Sequence, residues 1–288
     1  MKKTKRNYRD SLFRSIYSGK DERSRRWLLS LYNALSGKTY TDISALEITT
    51  LEDVIYITMK NDLSFLIDSQ MHLYEQQSTV NPNMPLRGLM YFAKLYQREV
   101  AKHDMDIYGT SLVKIPVPKF IVFYNGSANL PDTVKYRLSD SFEVADDLGE
   151  FEWTATVINI NRNHNETLTK NCESLYHYCS FVNRVQENLG KHLTAHEAVN
   201  EAVDFAISGN FLEGFFKEQK MNILGDLLTE FDQEAYDRHR RREGYNEGKR
   251  EDVRNLLIKS NLSPEMIADC CSLPLEEVLA IKESLARD

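Results

Sequence analysis

Apolar residues in this chain recur with two different periods, and the switches between them mark out its elements. From Asp10 to Ser36 the spacing is helical: Leu12, Phe13, Ile16 and Tyr17 form one stripe, and Trp27, Leu28, Leu31, Tyr32 and Leu35 form a second. Ser18-Gly19 is a break between them, and Gly37 closes the second run. A strand is expected over Val54–Met59, continuing close to Asp62. Two strand-like runs then flank a polar break at Asp68, Ser69 and Gln70, the second run spanning Met71–Ser78. A Pro- and Asn-rich loop leads into an amphipathic helix from near Pro85 to about His103. Val117–Tyr124, VPKFIVFY, is the most continuous apolar run and predicts a buried central strand, ended by the turn signal Asn125-Gly126. Phe151–Ile160 predicts another strand, with Glu152 at its start. From about Thr167 the pattern is helical, with breaks at Gly209 and Gly225. The order predicts an α/β (α+β) fold: a mixed central sheet flanked by helices, with a helical C-terminal extension.

The hairpin carries acids, and period-two alternation says where they point. Glu75 and Gln77 share a face with Met71 and Leu73, and Asp62 shares a face with Ser64 and Leu66. If the turn is centred between Asp68 and Ser69, Asp62 lies opposite Glu75, with Cβ atoms about 4.5–5.5 Å apart. An odd-length loop would break this register. Two like charges at that spacing repel unless a cation sits between them. Mg²⁺ is the obvious candidate, since it takes one or two carboxylates and fills its other positions with water.

The string Asp62, then Glu75-x-Gln77-Ser-Thr, then Asn81-Pro-Asn-Met-Pro-Leu-Arg87 and Tyr91 resembles the PD-(D/E)XK nuclease family transposases. These are close to the recombination-promoting nucleases of the Rpn family. The likeness extends from Asp10 to about residue 235, with a family-like helical tail beyond. It implies a restriction-endonuclease-like core, a strand Asp and a strand Glu (Asp62 and Glu75) holding Mg²⁺, with Mn²⁺ as a substitute, and cleavage of DNA. In such enzymes a Lys two residues after the Glu assists the attacking water. Here that position is Gln77, which can orient a water but brings no charge. Asp10, in Asp-Ser-Leu-Phe-Arg, is a further catalytic candidate or a helix N-cap. Arg87 and Tyr91, one helical turn apart, are expected to form a DNA-facing rim. The implied organisation is a nuclease-like domain over 1–235 (core about 1–165, helical part about 166–235), a charged linker or exposed helix over 236–256 and a small helical tail over 257–288.

Charge alters this picture. The chain has a net charge of −7, whereas a module that binds nucleic acid with its whole surface is usually basic. A locally basic cleft stays compatible with that balance. Basic clusters at Lys2–Arg6, Arg23–Arg26 and Arg238–Arg242 read as solvated surface, and Glu47 and Glu52 as solvent-facing acids. Two other classes remain: a catalytically weak DNA-binding remnant of a mobile element, and an interaction protein acting through its tail.

The remaining features narrow the setting. No run of about 18 apolar residues is present, so no membrane span is expected. The basic N-terminus lacks an apolar signal core, and the four cysteines make no disulfide framework, so a cytoplasmic location is expected. His164, Cys172, His177 and Cys179 have the right chemistry for zinc but fit none of its usual spacings. No nucleotide-binding or serine-hydrolase motif is found. In the tail, Ser263-Pro264-Glu265 and Ser272-Leu-Pro-Leu-Glu-Glu each read as a helix start. The last of these helices carries Glu276, Glu277 and Glu283, which suits a homodimer or protein interaction better than a DNA groove.

Overall fold

The computed structural model describes residues 8–19, 21–50, 62–144, 149–191, 193–225, 249, 252–260 and 262–285. The chain forms two compact units, Met1–Glu230 and Phe231–Asp288. The expected strand at 54–59, Glu52, the two outer basic clusters and most of the charged segment 236–256 lie outside the described residues.

The first unit is a mixed α/β domain. Its helices α1 (Tyr8–Tyr17) and α2 (Glu22–Ser36) divide at the predicted break. Asp21 caps α2 by accepting from the Ser24 amide, and Gly37 ends it with φ of 68°, a left-handed conformation that glycine adopts at little cost. A six-stranded sheet follows, in the order β1-β2-β3-β4-β6-β5. The strands are β1 (Glu47–Ile48), β2 (Leu63–Ile67), β3 (Gln70–Gln77), β4 (Val117–Tyr124), β5 (Thr133–Arg137) and β6 (Thr154–Asn159). β2 and β3 form an antiparallel hairpin, β3, β4 and β6 run parallel, and β5 returns antiparallel along β6.

The hairpin turn is the two-residue one. Asp68 and Ser69 both have positive φ, 53° and 55°, as a turn of type I′ requires. Ile67 pairs with Gln70 and Leu63 with Tyr74, so the register carries Asp62 to Glu75. Asp62 itself stands just before β2 rather than inside it. β5 had no forecast, because its sequence Thr-Val-Lys-Tyr-Arg is an edge strand without a buried side chain.

Helix α3 (Met84–Lys102) covers one face of the sheet, packing Tyr91, Phe92 and Leu95 on Met71, Leu73, Phe120, Val122 and Val157. Gly88 permits the close contact, since a Cβ there would stand 2.4 Å from the Phe120 ring. The opposite face carries α1, α2 and α5 (Glu173–Gly190), with Phe13 and Tyr178 meeting at 5.7 Å and Phe13 and Phe123 at 5.3 Å. A short helix α4 (Glu166–Asn171) precedes α5, and α6 (Ala195–Ser208) follows it behind a capping box of Thr194 and Glu197.

The second unit has its own small core, in which Val253, Ile267, Val278 and Ile281 are buried. Its helices lie at residues 252–259, Pro264–Cys271 and Leu275–Leu285, the last two near the predicted starts. Ser263 caps the second by accepting from the Met266 amide. Ser272 closes that helix, with φ of 49°, instead of opening the next. Among the described residues, no helix is long and apolar enough to cross a membrane.

Candidate active site

The site lies where β3 ends, at the carboxyl end of the three parallel strands, a recurrent place for ligands in α/β sheets. Asp62 and Glu75 are buried, at 6% and 1% exposed, and each carboxylate accepts from a main-chain amide of the other strand segment. The Asp62 amide donates to Glu75 Oε1 at 3.2 Å, and the Gln76 amide donates to Asp62 Oδ2 at 2.8 Å. Arg87, on the first turn of α3, donates to Glu75 Oε2 at 3.0 Å and to the Tyr91 hydroxyl at 3.2 Å. Asp10 reaches the same place from the first turn of α1, sharing a side-chain hydrogen bond with Asp62. It lies within the helix, so the N-cap alternative does not apply. Its Oδ1 is buried and has no hydrogen-bond partner among the described residues.

Electrostatics reports the crowding. Burial raises the Asp62 carboxyl well above the ordinary range, and the charges of Glu75 and Asp10 add to the rise. Burial pushes Glu75 up to about 7, with Arg87 pulling it down and Asp10 pushing it up. Asp10, Asp62 and Glu75 offer carboxylate oxygens, the ligand type that hard divalent cations take. The unpartnered Asp10 oxygen fits the same conclusion. Among the described residues, however, no three His, Cys, Asp or Glu side chains stand as a ready-made ligand array. The physical reason is visible at Glu75: both its oxygens are occupied, one by a main-chain amide and one by the Arg87 guanidinium. An ion would have to exchange with that guanidinium. Comparison with known proteins found no matching family model, no matching curated protein and no matching solved structure.

The rim residues differ from their expected role. Tyr91 is 4% exposed and supports Arg87, whose guanidinium lies 5.8 Å from its ring centre. Burial raises the Tyr91 hydroxyl to about 12, so it stays protonated. Arg87 turns inward to Glu75 because a buried carboxylate without a partner is costly. Gln77 is half-buried at the end of β3 and borders Met84 and Tyr124. Glu47 pairs with Lys102 at the surface, and Glu152 caps an exposed loop by accepting from Ser139. The zinc candidates have other partners: His164 bonds Asp132, and His177 accepts from the Leu212 amide and stacks on Phe211.

Sequence reasoning missed a buried polar chain behind the acids. The Gln76 amide group donates to Asn125 Oδ1 at 2.7 Å, and Asn125 Nδ2 donates to the Tyr178 hydroxyl at 3.1 Å. That hydroxyl donates to the Arg9 carbonyl at 3.0 Å, and the Arg9 guanidinium donates back to the Asn125 carbonyl at 2.8 Å. The chain ties the first turn of α1, and so Asp10, to β3, β4 and α5. Only the Asn125-Gly126 pair gave a signal, and it read as a turn. Gly126 does more: a Cβ there would lie 2.0 Å from the Ser78 carbonyl oxygen, so the segments leaving β3 and β4 can run together only with glycine.

Proposed function

We propose that this chain is a divalent-metal-dependent DNA endonuclease that hydrolyses phosphodiester bonds. In this reading it is allied to the PD-(D/E)XK nuclease family transposases and Rpn-type nucleases that its hairpin resembles, and it serves mobile-element recombination in the cytoplasm. The supporting observation is the meeting of Asp10, Asp62 and Glu75, two of them buried with raised proton affinity, at the carboxyl end of β3. Asp62 and Glu75 would hold Mg²⁺ or Mn²⁺, with Asp10 beside them. A bound ion would lower the pKa of a water and offset charge developing on the scissile phosphate. Gln77 would orient the water, and Arg87, once exchanged from Glu75, would turn to a phosphate oxygen. The test is nicking of supercoiled plasmid with and without Mg²⁺, comparing the natural chain with Glu75→Ala and Glu75→Gln. Loss of nicking in both variants, with unchanged circular dichroism, supports the site; an unchanged rate overturns it.

A second reading has its own supporting observation. The Arg87–Glu75 ion pair already offsets part of the charge of the acids, and Gln77 adds none. A catalytically weak DNA-binding remnant would retain DNA on a gel and fail to nick it in Mg²⁺ or Mn²⁺. As a lesser part of the main proposal, the helical tail carries self-association, checked by the solution mass of the chain cut at Arg238.

A further inference from the structure

A second cleft opens beside the acids. It has a volume of about 490 Å³, within the usual range for a ligand site, and lies between the segment after β6 and the helices α4, α5 and α6. The segment is held rigidly: Asn161 donates from its backbone to Asn159 Oδ1 and from its side chain to the Gly126 carbonyl at 3.0 Å. Gly126 follows Asn125, which is bonded to Gln76 next to Glu75. The cleft and the acids therefore lie toward the same, carboxyl end of the parallel strands, with β3 and β6 two strand spacings, roughly 10 Å, apart.

The lining combines flat rings, amides and cations. Tyr176 and Phe205 are 53% and 40% exposed, unusual for rings bordering a concave site, and the Arg184 guanidinium covers part of Phe205 at 5.1 Å. Asn161, Asn163 and Asn183 supply donors and acceptors of the kind that read base edges. Three cations border the cleft, each paired with a carboxylate: Arg162 with Glu187, Lys170 with Glu166 and Arg184 with Glu201. Arg162 and Lys170 make exposed ion pairs, at 2.9 and 2.8 Å, which are weak and readily exchanged for phosphate.

We infer that this cleft takes unpaired nucleotides of the DNA strand whose phosphodiester reaches Asp62 and Glu75, with a base stacked on Tyr176 and a phosphate against Arg162. The inference rests on the nuclease reading and gives it a substrate class: DNA with a single-stranded segment next to the cut. A base inside a duplex presents no free face to Tyr176, whereas every unpaired base has one.

The test uses the full chain in EDTA at low salt, so that neither metal nor cleavage enters. Fluorescence anisotropy compares a labelled oligothymidylate with a blunt duplex of equal length. The expected result is tighter binding of the single strand, weakened about tenfold by Tyr176→Ala, as removal of one stacking ring does. Arg162→Ala should weaken binding and flatten its salt dependence. Tyr176 is more than half exposed, so its variant is expected to fold, and thermal melting checks this. Equal affinity of Tyr176→Ala and the natural chain for the single strand overturns the inference, as does preference for the duplex. Glu75→Gln separates the two proposals. If it and the natural chain both bind the single strand and neither nicks plasmid, the nuclease reading falls and the cleft stands. If the natural chain nicks and Tyr176→Ala matches it in nicking and binding, the cleft falls and the nuclease reading stands.

Discussion

Glu75 and His72, on opposite faces of β3, are buried in opposite ways. On the face of α3, Glu75 has both oxygens bonded, to the Asp62 amide and to Arg87. On the other face, His72 is 5% exposed and, among the described residues, neither ring nitrogen has a hydrogen-bond partner. His72 stacks on Phe65 at 5.0 Å and meets the edges of Tyr32 and Tyr74. Burial, with some help from Lys119, drives its pKa down to about 4, so it is neutral at ordinary pH. The acids are crowded but supplied with donors and one cation. The imidazole is well packed but unsupplied. Partnered buried charge is a device that a site can use, whereas an unpartnered ring nitrogen is a plain cost to stability.

That contrast yields predictions of decreasing size. The largest is on cleavage: removing Glu75 should lower the nicking rate about a thousandfold, the rate equivalent of the several kcal/mol a metal contributes. The next concerns pH. The folded pKa of His72, about 4, lies below its ordinary 6.5, so the unfolded chain takes up the proton first. Stability is therefore lost as pH falls from about 6.5 toward 4, by on the order of 3 kcal/mol. His72→Phe should remove this acid sensitivity in urea melts and add about 1–3 kcal/mol at neutral pH. Unchanged acid sensitivity in that variant would place the cause elsewhere.

Glu75 behaves with the opposite sign. Its folded pKa of about 7 is above the ordinary 4.5, so its stabilising contribution is complete below pH 4.5 and lost as pH rises through 7. Mg²⁺ at pH 8, at a hundred times its dissociation constant, should return about 2.7 kcal/mol, or about 5–10 °C in Tm. Glu75→Gln should show no such gain. A smaller effect, about 1–2 kcal/mol, is expected of Tyr178→Phe, which deprives Asn125 Nδ2 of its acceptor. The smallest is a gain of about 1 kcal/mol from Asp68→Asn with Ser69→Gly, residues that accept positive φ more easily, with nicking unaltered.

Local signals made much of the fold legible. β4 spans Val117–Tyr124, as its apolar run indicates, and α2 begins and ends on its Asp21 and Gly37 caps. The Asp62–Glu75 pairing followed from one turn and the two-residue period. β5 went unread although Thr133–Arg137 alternates polar and apolar residues, because the run is only five residues long and its two apolar side chains, Val134 and Tyr136, are no more than half-buried. At the site, the acids could be read but not their neighbours. Whether Arg87 faces a phosphate or a carboxylate depends on where α3 lands on the sheet, and that is set by Gly88 against Phe120. The bonds joining Gln76, Asn125, Tyr178 and Arg9 span up to 169 positions, beyond any local pattern.

The tight bend at Asp68 and Ser69 sets the phase of everything beyond it. One residue added there would exchange odd and even positions along β3. Tyr74 would then stand where Glu75 meets Arg87, and Glu75 would take the place of Gln76 against Asn125. A single-codon insertion at the bend should thus abolish nicking and solubility together, while the same insertion in the exposed loop around Tyr108 should be tolerated.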